Sequence, residues 1–277
     1  WNSSRFILMN MEEEKIKNIS SIKASEMNQT DIWILSKLNQ TILEINKSYD
    51  SYKLNDVIKK IYNFVWRDYC DWYIEFSKSR FYGVNDKDRV VVQSVMYYIL
   101  KNILRLLHPF APFITEEIWS QFNEKKLLIE SVSPKINKDY INKESEEHVE
   151  LIMNTISAIR NIKINLGISA KKKIDIYCRG EKIKTDAFKI NKAHLKYLLN
   201  VQNVFTGADI EKPEKSATCV INNIEIFLPL KGLIDINKEL SRLEFKMHEL
   251  DGRIKNVNKK LSNDNFIKRA PENIVAH

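Results

Sequence analysis

Apolar residues along the chain fall at alternating steps of three and four over most of its length, which is the signature of amphipathic helices. After Asp31, a plausible N-cap, come Leu35, Leu38, Ile42, Ile45 and Tyr49. A second stripe carries Leu54, Val57, Ile58, Ile61, Val65, Tyr69, Trp72 and Phe76 and is closed by Gly83. A third carries Val92, Val95, Met96, Ile99, Ile103, Leu106 and Leu107. Each face needs cover, and together they predict a helical bundle. The third helix should stop where Pro109 biases His108 away from helical geometry, and Pro112 suits the first turn of the next. Phe110, Phe113, Ile114 and Trp119 are expected to pin this corner into the core, with Glu116 and Glu117 complementing the positive helix end. His108 has no nucleophile or second ligand beside it, so it reads as part of the bend.

Beyond Phe122 the pattern fades. Residues 123–147 are polar, contain Pro134 and make the best linker candidate. A further helix follows, with Val149, Ile152, Ile156, Ile159 and Leu166. Past Gly167 the texture is mixed: IDIY (174–177) alternates like a strand, 188–199 reads as a helix, and VQNVF as another strand. TCVI and IEIFL flank Asn222-Asn223, a hairpin signal. The last segment is the most regular: Ile236, Leu240, Leu243, Met247, Leu250, Ile254, Val257 and Leu261 step by 4, 3, 4, 3, 4, 3, 4. That is a heptad seam, interrupted on its outer face by Gly252, and a lone helix of this kind must pair. SNDN then reads as a turn and Pro271 as the start of a returning helix; an intermolecular coiled coil is the alternative. The fold class expected is mainly α: a helical bundle over 1–122, a linker over 123–147, a small α+β domain over 148–232, and a coiled-coil arm over 233–277 left incomplete at His277.

Composition changes this picture in two respects. The net charge is +8, from 44 basic and 36 acidic residues among 277. Residues 160–200 alone hold eleven Lys or Arg against Asp175, Glu181 and Asp186, a concentration that points to a polyanionic partner or to a solvated surface. The three cysteines, Cys70, Cys178 and Cys219, form no CxxC pair, which disfavours a disulfide framework or zinc module and favours a reducing cytoplasm. No uncharged run approaches the roughly 20 residues of a membrane span. The start, WNSSRFILMN, has neither Met nor the layout of a secretory signal, and reads as mid-protein sequence. The six glycines are unclustered, so no phosphate-cradling loop is present, and GxSxG and HExxH are absent. By itself the chain is expected to be non-catalytic.

Seven stretches, in order, carry a resemblance: WNSSRFILMN, DIWILSKLNQTI, FVWRDYCDWYIEFSK, LLHPFAPFITEEIW, AIRNIKINLGI, LPLKGLIDINKEL and LSNDNFIKRAPENIV. They resemble the C-terminal third of bacterial valyl-tRNA synthetases, among the class I aminoacyl-tRNA synthetases, over essentially the whole chain. LLHPFAPFITEEIW is shared with sibling synthetases, whereas FVWRDYCDWY, LPLKGLID and the heptads with LSNDNFIKRAP are specific to the valyl branch. Where the family usually has Trp-Pro in the linker, this chain has Ser133-Pro134. The resemblance implies an anticodon-binding bundle, a small α+β unit, and the first limb of an antiparallel hairpin against the tRNA elbow. It implies a cytoplasmic, monomeric partner of tRNA(Val), with no membrane role. The adenylation and editing domains, with ATP and Mg²⁺, would lie outside this chain.

Site residues carried over from the family are Arg5 and Phe6 near the anticodon loop, as a planar donor fork beside a stacking face. Tyr73 and Glu75 would meet bases, Glu75 by accepting from a cytosine amino group. Lys78 and Arg80 would meet phosphates, or simply complement the negative end of their helix as cations do there. On the arm, Arg242, Lys246, Arg253 and Lys260 would lie near elbow phosphates. The competing readings are the equivalent region of an isoleucyl- or leucyl-type synthetase, and a structural protein that dimerises through its coiled coil.

Overall fold

The computed structural model describes residues 1–122 and 124–262, apart from the side chains of Glu13, Ile183, Ile236, Lys238 and Lys260. Its first half is a bundle of α1 (Asn2–Met9), α2 (Gln29–Asp50), α3 (Leu54–Asn63), a π-helical segment (Phe64–Tyr73), α4 (Ile74–Phe81), α5 (Asp86–Leu107) and α6 (Pro112–Trp119). Helix α2 starts one turn earlier than the stripe suggests. Asn28 is the true N-cap: its side chain accepts from Asp31 N–H at 2.9 Å, while the Asp31 carboxylate accepts from Asn28 N–H at 3.0 Å. This reciprocal box satisfies donors that the helix itself leaves orphaned.

The second predicted stripe is continuous in the chain but not uniform in geometry. Its middle widens into the π-helix, which turns Phe64, Tyr69 and Tyr73 inward. Tyr69 donates to the Met96 carbonyl at 3.0 Å, tying this wide turn to α5. Leu54 and Ile58, expected on the buried stripe, are exposed instead. Helix α5 is long and apolar enough to cross a membrane, yet 67% of its most apolar stretch is buried among its neighbours, as befits the central helix of the bundle.

At the proline corner, His108 keeps helical dihedrals (φ −52°, ψ −43°) and donates its N–H to Leu104 O at 2.9 Å. The chain breaks at Ala111 instead (φ −142°, ψ 63°), and Pro112 opens α6. His108 Nδ1 lies 2.8 Å from Thr115 Oγ1, bracing the bend. Trp119 is buried, but Phe113 is 90% exposed, so it does not pin the corner. Glu116 accepts from Leu128 N–H at 2.8 Å, holding the next segment.

That segment, expected as a free linker, is a strap. Leu128 is buried, Trp119 Nε1 donates to Lys126 O at 3.0 Å, and Asn137 N–H donates to Asn39 Oδ1 at 2.7 Å. Asn142 then caps α7 (Lys143–Asn165), which lies along α2: Glu146 takes hydrogen bonds from Ser36 and Gln40, and Ser145 donates to Gln29 O at 2.8 Å. Gly167, at φ +62°, ends α7 in the left-handed conformation that glycine adopts without penalty.

The α+β unit holds β1 (Ile174–Arg179), α8 (Lys182–Ile190), α9 (Lys192–Leu199), β2 (Val201–Gly207), β3 (Ser216–Ile221) and β4 (Ile224–Pro229). The sheet order is β2-β1-β4-β3, with β1 and β2 parallel and the other pairs antiparallel. The crossover between the parallel strands carries two short helices where one was expected, broken at Asn191. The Asn222-Asn223 turn has φ of 49° and 65°, the left-handed pair that a two-residue hairpin demands. Its inward face, Ile174, Ile176, Cys178, Ile224, Ile226 and Leu228, joins the same continuous core as the bundle. Across the seam, Gln29 pairs with His148 Nδ1 at 2.8 Å and accepts from Asn191 Nδ2 at 2.6 Å, and His194 lies 4.9 Å from the Phe76 ring.

The chain ends its described part in α10 (Ile236–Leu261), whose seam lies open along the described residues. Its root is held by Lys172 Nζ, which donates to Gly232 O at 3.3 Å and Leu233 O at 2.8 Å. The returning helix expected from Pro271 lies outside the described residues.

Candidate nucleic-acid interface

Helix α1 lies against the bundle, tied by Ser3 Oγ to Cys70 Sγ at 3.2 Å and by Gln93 Nε2 to Asn10 O at 2.9 Å. That anchoring presents Arg5 to solvent on the rim of a 340 Å³ depression lined by Trp1, Leu8, Met9, Ile118 and Gln121. Phe6 is half-buried, and its ring edge meets Phe81 with centroids 6.0 Å apart. A planar cation and a partly open aromatic face therefore sit side by side on a fixed helix, which suits unpaired bases.

The other bundle residues separate into two groups. Glu75 and Lys78 pair with each other, one helical turn apart on α4, at 38 and 32% side-chain exposure. Tyr73 and Arg80 do not reach the surface, contrary to the expectation that they meet RNA. The Tyr73 hydroxyl is fully buried and donates to Asp31 Oδ1 at 2.7 Å. Arg80 donates from Nη1 to the same oxygen at 2.7 Å, and from Nε and Nη2 to Asp88 Oδ1 at 2.8 and 2.6 Å. Burial opposes the charge on Arg80, but the two carboxylates outweigh it and raise its pKa, so it is a locked cation. Desolvation and Asp31 likewise push the Tyr73 hydroxyl well above its ordinary value. Tyr73 thus ties the end of the π-helical segment to α2, and Arg80 ties α4 to both α2 and α5.

The basic excess of residues 160–200 is likewise only partly available. Lys163 is buried and donates to three carbonyls, of Leu199 at 2.9 Å, Lys172 at 3.3 Å and Ala170 at 3.4 Å. It knits the end of α7 to its neighbours, and burial lowers its pKa. Lys184 and Lys189 face Glu181 and Asp186 on their own helix. On the arm, Arg242 pairs with the partly covered Glu239 at 2.5 Å and Arg253 with the exposed Glu249 at 2.6 Å, while Lys246 is exposed. The Lys260 side chain lies outside the described residues. Exposed pairs of this kind exchange readily with a phosphate oxygen, since each contributes little stability.

Sequence reasoning missed two features of this surface. Tyr62 and Trp66 stack face to face in solvent, with centroids 5.9 Å apart and planes 7° from parallel. Their i, i+4 spacing was visible, but the π-helical offset that keeps them outward was not. Arg105 was also missed, although Lys101 and Arg105, one turn apart within an otherwise apolar helix, are a signal in themselves.

Comparison with known proteins places this geometry. The family model described as "Anticodon-binding domain of tRNA ligase" matches residues 31–178, more than half of the chain, so the chain belongs to that family. A second family model, "Valyl tRNA synthetase tRNA binding arm", matches residues 235–277. The chain is similar along 99% of its length to valine–tRNA ligases: 35% identical to that of Oceanobacillus iheyensis, 37% to that of Staphylococcus aureus strain MRSA252 and 38% to that of Petrotoga mobilis. It spans about a third of the length of these curated relatives (31 or 32%) and corresponds to their C-terminal portion. The anticodon family model runs through the strap and α7 into β1, in keeping with a core that the bundle and the sheet share.

Proposed function

We propose that this chain is the tRNA-gripping portion of a valine–tRNA ligase, a cytoplasmic, monomeric enzyme whose other portion joins valine to tRNA(Val) with ATP and Mg²⁺. The observation that carries this reading is the succession of the two matched families, anticodon-binding at 31–178 and arm at 235–277, on a chain that displays Arg5 beside Phe6. Arg5 supplies a donor fork to an anticodon base and Phe6 a stacking face. Glu75 and Lys78, an exchangeable pair on α4, supply further polar contacts to the RNA. Tyr73 and Arg80 act indirectly, by holding the π-helical segment and α4 in place. On the arm, Arg242, Lys246, Arg253 and Lys260 neighbour phosphates of the elbow, and the α10 seam pairs with the chain that follows it as a coiled coil.

Arg5→Ala should lower affinity for tRNA(Val) about tenfold while leaving an anticodon-substituted tRNA nearly unaffected, because a donor fork on a base discriminates by about 1–3 kcal/mol. Phe6→Leu, which keeps the packing on Phe81, should weaken binding by loss of stacking. Filter binding against both transcripts decides the matter; equal losses for the two tRNAs would reduce Arg5 to a backbone contact. Equal affinity of the unaltered chain for an isoleucine tRNA would move it to the sibling branch.

A further inference from the structure

Two concavities meet at Arg105 on α5. One, of about 460 Å³, lies between residues 16–19 and α5 and is lined by Lys17, Tyr97, Tyr98, Lys101 and Arg105 among others. The other, of about 950 Å³, lies under the strap and shares Arg105 with Lys125, Lys126 and Lys135. The Arg105 guanidinium sits 5.1 Å above the Trp119 ring, and its Nε is buried with no acceptor among the described residues. Burial lowers the pKa of this cation, with Glu124 the leading charge acting against that effect. Glu124, however, is already paired with Lys101. A buried guanidinium Nε–H without an acceptor is expensive, and native structures rarely keep such a group without a use for its side chain.

A phosphate group meets these features together. Its oxygens accept the guanidinium fork in the geometry that makes arginine a phosphate ligand. Lys17 adds charge on the same wall, and Tyr97 and Tyr98 offer aromatic surface to the attached sugar or base. Lys101, paired with Glu124, lies 5.0 Å from the Tyr97 ring centroid and 4.9 Å from that of Trp119, and so helps to hold the ring over which Arg105 sits. We propose that Arg105, with Lys17, forms a phosphate-binding site that takes a backbone phosphate of the bound RNA, a contact separate from Arg5 and Phe6. This rests on the tRNA reading above and deepens it.

The test has two arms on the 277-residue chain. In the first, inorganic phosphate is titrated while tryptophan fluorescence is followed. Saturable quenching is expected in the unaltered chain, weakened by Lys17→Gln and abolished by Arg105→Met. In the second, Lys17→Gln and Arg105→Met should each lower tRNA affinity about tenfold, equally for cognate and anticodon-substituted transcripts, as a charged hydrogen bond to phosphate would. The slope of log affinity against log salt should become shallower by about one. Lys17 is on an exposed loop and its loss leaves the core intact, so the result does not hinge on folding of the Arg105 variant. Unchanged tRNA affinity and slope in both variants would overturn the proposal, even if free phosphate binds. An unaltered chain that binds phosphate but no tRNA would instead overturn the tRNA reading and the RNA source of the phosphate with it.

Discussion

Helices α2 and α10 carry almost the same apolar rhythm and meet opposite fates. Leu35, Leu38, Ile42 and Ile45 on α2 are at most 1% exposed, whereas Leu240, Leu243, Met247, Leu250, Ile254 and Val257 on α10 are between 46 and 65% exposed. A period of three and four states that a face needs cover; it does not state what covers it. For α2 the cover comes from α3, the π-helical segment, α5 and α7, all within the described chain. Polar groups separate the two helices equally well. The carboxylate of Asp31 on α2 is buried and takes hydrogen bonds from Tyr73, Arg80 and Asn28, while Arg242 and Arg253 on α10 pair with Glu239 and Glu249 of their own helix.

Four changes sharpen the contrast, from largest to smallest effect. Asp31→Ala should destabilise the body by about 3 kcal/mol, because it leaves Arg80 buried with only the half-open Asp88 as partner. Urea unfolding at neutral pH measures this; a loss near that of an exposed pair would mean that water reaches Arg80 freely. Next is a pH effect at the seam between bundle and sheet. Burial, helped by Arg80 and opposed by Asp31 and Asp88, pushes the His194 pKa down to about 4. The unfolded imidazole takes a proton near pH 6.5 while the folded one does not, so His194 contributes its full stability above 6.5. That stability is lost as pH falls towards 4, by about 1 kcal/mol per pH unit. Midpoints compared between pH 7 and 5 should converge in His194→Phe, and an identical pH slope in the variant would place the effect elsewhere.

The arm should respond differently. A methyl at Gly252 meets open space, so Gly252→Ala should raise the stability of α10 by about 1 kcal/mol, seen as helicity retained on warming. The same change should leave the unfolding midpoint of the body unmoved. Smallest of all, Leu250→Ala should shift the body's midpoint by less than about 0.5 kcal/mol. A larger shift would mean that α10 is covered by the bundle after all.

Much of the fold was legible because burial imposes a period on the sequence: α2, α5, α7, α10 and the Asn-Asn hairpin all announce themselves. What escaped depends on pairs far apart in the chain. The bond from Arg80 to Asp31 spans 49 residues, and nothing near either marks it. Hence Arg80, with the charge of a phosphate ligand, and Tyr73, off the apolar stripe, both read as surface groups. The π-helix has no composition of its own, and without it Ile58 and Trp72 fall on one line. The strap looked like a tether because its attachments are made by backbone N–H groups to Asn39 and Ser36, which polarity scales do not register. In the candidate site, Arg5 and Phe6 were legible only through family resemblance, while Arg105 went unread because its unpaired Nε and its place over Trp119 depend on contacts made in the fold.

The lateral seam along α7 has a consequence for how such a protein tolerates change. Helix α7 packs on α2 of one lobe and on α8, α9 and β3 of the other, so the register of the lobes rests on its buried face as well as on the attachments of the strap. A change of length there is therefore expected to alter the angle between the two lobes little. The gauge is set by α7's packing, and a replacement of Ile152 or Ile156 would disturb that angle more than an insertion beside Pro134.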